Sequence, residues 1–194
     1  MKKFKNYEET KTYTEKEKLP KDGYVLKVVD VSEVIYAWGS VLKLDFDIAE
    51  GEQTGFYKRD YDNQLQEDKK WKGSFRLPVP TDDGSEKDAW SKSRFKTTMG
   101  NFEKSNPNFR WDWDERKLVG KFIGGLFNLK EWEKDDKSGW YTKCKKLTSV
   151  DNVRSGNFTL PEDEPLKEKE SNGARNENNF MSIPEDTCDE IPFH

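Results

Sequence analysis

Histidine is nearly absent from this 194-residue chain, and the single copy, His194, is its last residue. A catalytic triad or a zinc site that depends on histidine therefore has no such side chain to use in the body of the chain. The two cysteines, Cys144 and Cys188, lack the spacing of a metal-binding pair. We expect both to be free thiols in a reducing compartment.

Long apolar runs are also missing. Hydrophobic residues make up 32% of the chain and charged residues 37%, and no stretch has the length of a membrane span or the core of a signal peptide. We therefore expect a soluble cytoplasmic protein of a bacterial or phage-infected cell, with no membrane partner. Aromatic residues reach 13%, including seven Trp, so they must fill a small core or remain exposed for stacking.

The usual signatures of an enzyme are not found either. Residues 121–126 contain two glycines but lack the Gly-Lys-Ser/Thr ending of a phosphate-binding loop. Three acidic pairs are candidates for holding Mg²⁺: Asp60/Asp62, Asp112/Asp114 and Asp135/Asp136. Each lies in charged, loop-like sequence, where Asp commonly forms turns. We therefore expect no enzyme activity, no metal and no cofactor, and a metal-dependent nuclease is the weakest alternative.

Charge is divided unequally along the chain. Residues 1–150 contain 30 Lys and Arg against 27 Asp and Glu, whereas residues 151–194 contain 4 against 11. The overall net charge of −4 thus hides a mildly basic body and a strongly acidic tail.

Hydrophobic alternation predicts a mainly β body. Residues 41–48 alternate apolar and charged side chains, which is typical of a half-buried strand. Further strands are predicted over residues 24–31, 55–61 with 71–78, 118–132 and 139–150. One helix is predicted over residues 88–105, capped by Asp88 and stopped by Asn106-Pro107.

This order of elements predicts a five-stranded OB-fold-like barrel with one helix between strands 3 and 4. An SH3-like barrel with an insertion is the alternative. The predicted organisation is an N-terminal arm over residues 1–22, the barrel over 23–153, and an acidic tail over 154–194. The tail has isolated apolar residues without periodicity, so we expect it to be disordered.

Aromatic and basic residues are interleaved through the body, which favours binding of single-stranded DNA by base stacking and phosphate contacts. The candidate residues for this binding are Trp38, Tyr57, Lys58, Arg59, Tyr61, Lys70, Trp71, Lys72, Arg76, Lys121, Tyr141, Lys143 and Lys145. Alternation along the last strand predicts that Tyr141, Lys143 and Lys145 share one surface.

The chain ends in a short acidic run followed by Ile191, Pro192 and Phe193. Such a segment suits docking into a partner, because Phe193 supplies a compact apolar anchor and the carboxylates can meet a basic rim. With the β-rich body, this ending resembles that of phage and bacterial single-stranded DNA-binding proteins. His194 departs from the family pattern, in which Phe is usually the last residue.

The resemblance implies a non-enzymatic protein of DNA replication, recombination and repair that binds single strands with little sequence preference. It also implies recruitment of replication or recombination proteins through the tip, formed by Asp186, Asp189, Glu190, Ile191, Pro192 and Phe193. A homo-oligomer is left open. The rival interpretation is a replisome adaptor whose small β-barrel binds a protein and not DNA.

Overall fold

The computed structural model describes residues 5–8 and 17–166. Its elements are β1 (Gly23–Tyr36), β2 (Gly39–Ile48), α1 (Phe56–Asn63), β3 (Ser74–Pro78), α2 (Glu86–Ser105), a 3₁₀ turn (Glu115–Leu118), β4 (Phe122–Lys134), β5 (Lys137–Thr148) and α3 (Val150–Arg154). Most of the predicted N-terminal arm and the whole of the predicted partner tip lie outside the described residues.

All five strands form one antiparallel sheet in the order β3-β2-β1-β4-β5. Strand β1 pairs with β4 through residues 23–27 and with β2 through residues 26–36, and a bulge between Val28 and Asp30 lets it bend between them. The order is compatible with a barrel-like OB-fold, although within residues 17–166 no ladder joins β3 to β5. The predicted mainly β architecture, with α2 between the third and fourth strands, is confirmed.

The core lies between the inner face of the sheet and α2. Leu42, Leu44 and Phe46 of β2 are buried as the alternation predicts, and Phe102 of α2 and Phe127 of β4 are fully buried beside them. Burying a side chain of this size stabilises a fold by about 1.5–3 kcal/mol. A few large aromatic residues therefore supply much of the core of a chain that has few aliphatic ones.

The N-cap of helix α2 lies three residues before the predicted cap, Asp88. The hydroxyl oxygen of Ser85 accepts the backbone N–H of Asp88 at 3.1 Å, so Ser85 is the N-cap. The Asp88 carboxylate instead accepts the backbone N–H of Asp82 at 2.9 Å and pairs with Lys92 at 2.8 Å. The prediction that Asp88 caps α2 is wrong, because its side chain holds the preceding loop.

The strand predicted over residues 55–61 is also wrong, because this segment forms α1. Gly55 adopts a left-handed φ of 73°, which ends the extended chain before the helix. The carboxylate of Asp47 then accepts the backbone N–H groups of Tyr57 at 2.9 Å and Lys58 at 3.2 Å. This acceptor comes from β2 and not from the residue before the helix, so the usual local capping pattern is absent from the sequence.

Residues beyond α3 continue along the sheet, although the sequence places the start of the tail at 154. We call residues 158–166 the C-terminal strap. The Phe158 ring packs on Gly23, where an added Cβ would lie 2.7 Å from it. Further on, the Glu164 N–H donates to the Leu129 carbonyl at 2.8 Å and the Glu131 N–H donates to the Glu164 carbonyl at 2.9 Å. The ordered body therefore extends to residue 166.

Candidate nucleic-acid interface

The turn between β1 and β2 presents two aromatic rings beside a cation. The rings of Tyr36 and Trp38 are stacked, with centroids 5.2 Å apart and planes 2° from parallel. The Lys87 ammonium, from the first turn of α2, lies 5.7 Å from the Trp38 ring centroid. Trp38 and Lys87 also line a cleft with Pro78 and Ser91. This arrangement, which we call the first-hairpin platform, offers both ring area and positive charge.

Across the outer face of the first three strands, two further cations lie in line. The register pairs Lys43 of β2 with Ser32 of β1 on one side and with Arg76 of β3 on the other. Lys43 and Arg76 alternate with core residues and so face outward. Arg76 was predicted from the sequence as a phosphate contact, whereas Lys43 was not.

Asp45 modifies the charge of this face. It is 9% exposed, its Oδ2 accepts from the Lys43 ammonium at 2.8 Å, and its Oδ1 is buried with no hydrogen-bond partner among the described residues. Burial raises the pKa of Asp45 and outweighs the opposing effect of Lys43. Asp45 thus places an acidic group next to the two cations of this face.

The β4–β5 hairpin carries a second combination of aromatic rings and cations. The register pairs Lys130 with Tyr141, Trp132 with Gly139, and Asn128 with Lys143. These residues alternate with the inward-facing pair Phe127 and Cys144, so they lie on the outer side of the sheet. We call Lys130, Trp132, Tyr141 and Lys143 the second-hairpin face.

Lys145 lies next to this face but is engaged within the chain. A bulge opposite residues 126 and 127 places Lys145 beside the strap, and its ammonium pairs with the Glu164 carboxylate at 2.6 Å. Asn128, the register partner of Lys143, also donates to Glu164, at 3.2 Å. The sharing of one surface by Tyr141, Lys143 and Lys145 stays a prediction.

Seven of the predicted residues lie on α1 and the loop that follows it: Tyr57, Lys58, Arg59, Tyr61, Lys70, Trp71 and Lys72. Tyr57 is 7% exposed and packs edge-on against Phe46, which leaves no ring face for a base. The Trp71 N–H donates to the Phe46 carbonyl at 3.1 Å, so this ring is anchored to the sheet edge. The indole also lies 5.8 Å from Tyr61, in a tilted contact.

The cations of this segment mostly face carboxylates. Ion pairs join Lys58 to Asp62 at 2.9 Å, Lys72 to Asp60 at 2.9 Å, and Arg59 to Glu17 at 3.4 Å. The Lys70 backbone N–H donates to the Gln64 side chain. Such pairing lowers the net positive charge that the α1 segment can offer to phosphates.

The remaining predicted residues fall in two places. The Lys121 ammonium lies 5.3 Å from the Phe109 ring centroid, just before β4 begins. The tip residues lie outside the described part of the chain, so their predicted role stays a prediction: Asp186, Asp189, Glu190, Ile191, Pro192 and Phe193.

Five residues on these surfaces were not among the candidates chosen from the sequence: Tyr36, Lys43, Lys87, Lys130 and Trp132. Lys130 and Trp132 do belong to the interleaved aromatic and basic stretches of the sequence, and two more could have been found. Lys43 was already assigned to the outer face by alternation, and Tyr36 is two residues from Trp38 across a tight turn. Lys87 could not, because α2 brings it to Trp38 from a distant part of the chain.

One further aromatic residue is strongly exposed. Trp113 is 77% exposed and adopts a φ of 70°, which is unusual for a bulky side chain. Its ring stacks on Phe95 of α2, with centroids 6.1 Å apart. It belongs to neither hairpin, and it gives the molecule a separate aromatic surface.

Within residues 5–8 and 17–166, no cluster of three or more His, Cys, Asp or Glu side chains is placed to hold a metal ion. None of the helices described here is long and apolar enough to cross a membrane. The geometry of the two hairpins can instead provide stacking and phosphate contacts. A scan of protein-family models and a search of curated proteins both find no match for this chain.

Proposed function

We propose that this protein is a non-enzymatic single-stranded DNA-binding protein with little sequence preference. The observation that carries the proposal is the presence of half-buried aromatic rings beside lysines at both the β1–β2 and the β4–β5 hairpins. In OB-folds, the loops that join strands 1 to 2 and 4 to 5 flank the face that binds oligonucleotides.

The side chains of these hairpins suit binding of single-stranded DNA without recognition of its base sequence. Every base has a ring face, so stacking on Tyr36, Trp38 or Tyr141 does not depend on sequence. Lysines beside the rings, such as Lys87 and Lys143, suit contacts with the phosphate backbone. We further propose that the acidic tip recruits replication or recombination proteins, as the resemblance implies.

A titration with fluorescently labelled oligo-dT, followed by anisotropy at low and high salt, tests the proposal. We expect binding that weakens as salt rises, because phosphate contacts release counterions. Trp38→Ala should weaken binding by about 1–3 kcal/mol, the usual value of one stacked base. Trp113→Ala is the matched control, since Trp113 is exposed and stacks on Phe95 but belongs to neither hairpin.

The second candidate is a protein-interaction adaptor. It is favoured by the ion pairs that neutralise many cations of the body and by the exposed Trp113. An adaptor would show no binding to oligo-dT at low salt, and the Trp38 and Trp113 variants would then behave alike. That result would remove the strand-binding proposal and direct the search to a protein partner.

A further inference from the structure

Glu164 places a carboxylate among groups that suit a phosphate. Its Oε1 lies 2.6 Å from the Lys145 ammonium and 3.2 Å from the Asn128 side-chain nitrogen. Burial raises the pKa of Glu164, but the hydrogen bonds from Lys145 and Asn128 and the charges of Lys145 and Lys143 outweigh it and hold the pKa below its usual range. The surroundings of Glu164 therefore stabilise a negative charge.

The buried side chain of Asn128 adds a second polar group beside the Glu164 carboxylate. It is a polar residue in the middle of β4, between Phe127 and Leu129, and it is fully buried. Its nitrogen donates to the Glu162 carbonyl at 2.7 Å, while its Oδ1 has no hydrogen-bond partner among the described residues. Both acceptors of this nitrogen, the Glu162 carbonyl and the Glu164 carboxylate, belong to the strap. A ligand that displaced the strap would therefore have to offer an acceptor to the buried Asn128 side chain.

The position is continuous with the second-hairpin face. Asn128 pairs with Lys143 in the ladder, and the next outward pair is Lys130 with Tyr141. Lys130 also forms the isolated parallel bridge with Glu164. A strand whose bases stack on Tyr141 would therefore carry its phosphates past the place that the Glu164 carboxylate fills.

The last part of the strap is held by polar contacts, including one from the Leu166 N–H to the Glu131 carboxylate at 3.0 Å, and it buries little apolar area. Two backbone hydrogen bonds join Glu164 to β4. The Asp163 carboxylate accepts from Lys21 at 2.7 Å and from the Leu129 N–H at 2.9 Å. Glu162, Asp163 and Leu166 are exposed. A segment with so little buried apolar area opens at low cost, while Phe158 keeps the start of the strap on Gly23.

We propose that Lys145, Asn128 and Lys143 form a phosphate subsite of the single-strand path, and that Glu164 of the chain itself occupies this subsite when no strand is bound. The inference rests on the proposed function for the identity of the ligand, a phosphodiester. Binding of single-stranded DNA and docking of Glu164 in the subsite then compete, so by thermodynamic linkage each weakens the other.

The test combines two substitutions in the full chain. Glu164→Gln should tighten oligo-dT binding about two- to fivefold at low salt, the effect of removing one partly exposed ion pair. Glu162→Gln is the matched control, because it removes the same charge from the strap without freeing Lys145, and it should leave the affinity unchanged. Lys145→Gln should weaken binding more in the Glu164→Gln background than in the wild-type chain.

A second readout follows the strap directly. Oligo-dT should accelerate amide hydrogen exchange at Glu131 and Glu164, because it would break the hydrogen bonds from the Glu131 N–H to the Glu164 carbonyl and from the Glu164 N–H to the Leu129 carbonyl. Inorganic polyphosphate should do the same, since it presents phosphates without bases.

The outcomes separate the two proposals. If oligo-dT binds but Glu164→Gln and Glu162→Gln have equal affinities and Lys145 shows no coupling to Glu164, the subsite is overturned and the function stands. If oligo-dT does not bind but polyphosphate accelerates exchange at Glu164, the anion subsite stands and the function falls. If neither probe binds or alters exchange, both proposals are overturned.

Discussion

Asp45 shows how a single residue on the outer face of the sheet can affect stability. Its carboxyl group is largely removed from water, and one of its oxygens has no hydrogen-bond partner among the described residues. The Lys43 ammonium at 2.8 Å only partly offsets this burial, and Asp30, its register partner in β1, adds a repulsive charge. The ionised form of Asp45 therefore destabilises the folded state.

We predict that Asp45→Asn raises the free energy of unfolding at pH 7. Burial raises the folded-state pKa of Asp45 above its unfolded value, so the folded state binds the proton more tightly. The wild-type chain then loses stability as the pH rises through this range. The advantage of the variant should be largest at neutral pH and should vanish below about pH 4, near the unfolded-state pKa.

Urea unfolding of both proteins at pH 7 and at pH 4 measures this difference. The exposed Asp68 provides the control, because Asp68→Asn removes the same charge without relieving any burial. A loss of stability in Asp45→Asn at pH 7 would show that the ion pair with Lys43 outweighs the cost of burial, contrary to the prediction.

At the scale of elements, α1 depends on a residue outside the helix. Asp47→Ala removes the acceptor of the Tyr57 and Lys58 N–H groups and should cost about 0.5–2 kcal/mol, as loss of a helix cap usually does. Asp62→Ala removes the exposed ion pair with Lys58 and should cost less than about 0.5 kcal/mol. Urea unfolding compares the two, and equal costs would mean that Asp47 does not hold the helix.

The same element shows what the sequence can and cannot predict. Alternation in β2 depends on neighbouring residues only, so its inner face was predicted correctly. Helix α1 depends on Asp47, eight residues before Gly55, and a local pattern contains no sign of that contact. The strap cannot be predicted from the sequence either, because Glu164 joins the sheet through backbone N–H and C=O groups, which carry no sequence signal.

The candidate site was predictable to a similar degree. Trp38, Arg76, Tyr141 and Lys143, which the structure places in the first turn or on the outer side of the sheet, were chosen because aromatic and basic residues alternate within short stretches. Tyr57 and Trp71 have the same local pattern but fold against Phe46. Only the tertiary structure distinguishes a ring that is available for stacking from one that fills the core.

At the scale of the whole molecule, the division of charge places an acidic segment beyond a body that is mildly basic. Residues 167–194 contain three Lys and Arg against seven Asp and Glu. They follow directly on the strap, whose Glu164 already pairs with Lys145. Two truncations therefore separate the effect of the acidic segment from that of the strap.

Removal of residues 167–194 should leave the free energy of unfolding within about 0.5 kcal/mol of the full chain, because no described contact is lost. It should also tighten oligo-dT binding at low salt, since a competing acidic segment is gone, and salt should screen this gain. Removal of residues 158–194 should in addition cost about 1–3 kcal/mol, because Phe158 no longer packs on Gly23 and Asn128 loses the Glu162 carbonyl.

Urea unfolding and anisotropy titration at two salt concentrations measure both truncations. Composition places the end of the body at residue 154, whereas the strap extends the body to residue 166. The reason is that polar residues of the strap form backbone hydrogen bonds with β4. If the two truncated chains unfold with equal free energies, the strap adds nothing to the body and the compositional boundary is the correct one. If the longer deletion alone destabilises the chain and binds oligo-dT more tightly still, the strap both completes the sheet and competes with the strand.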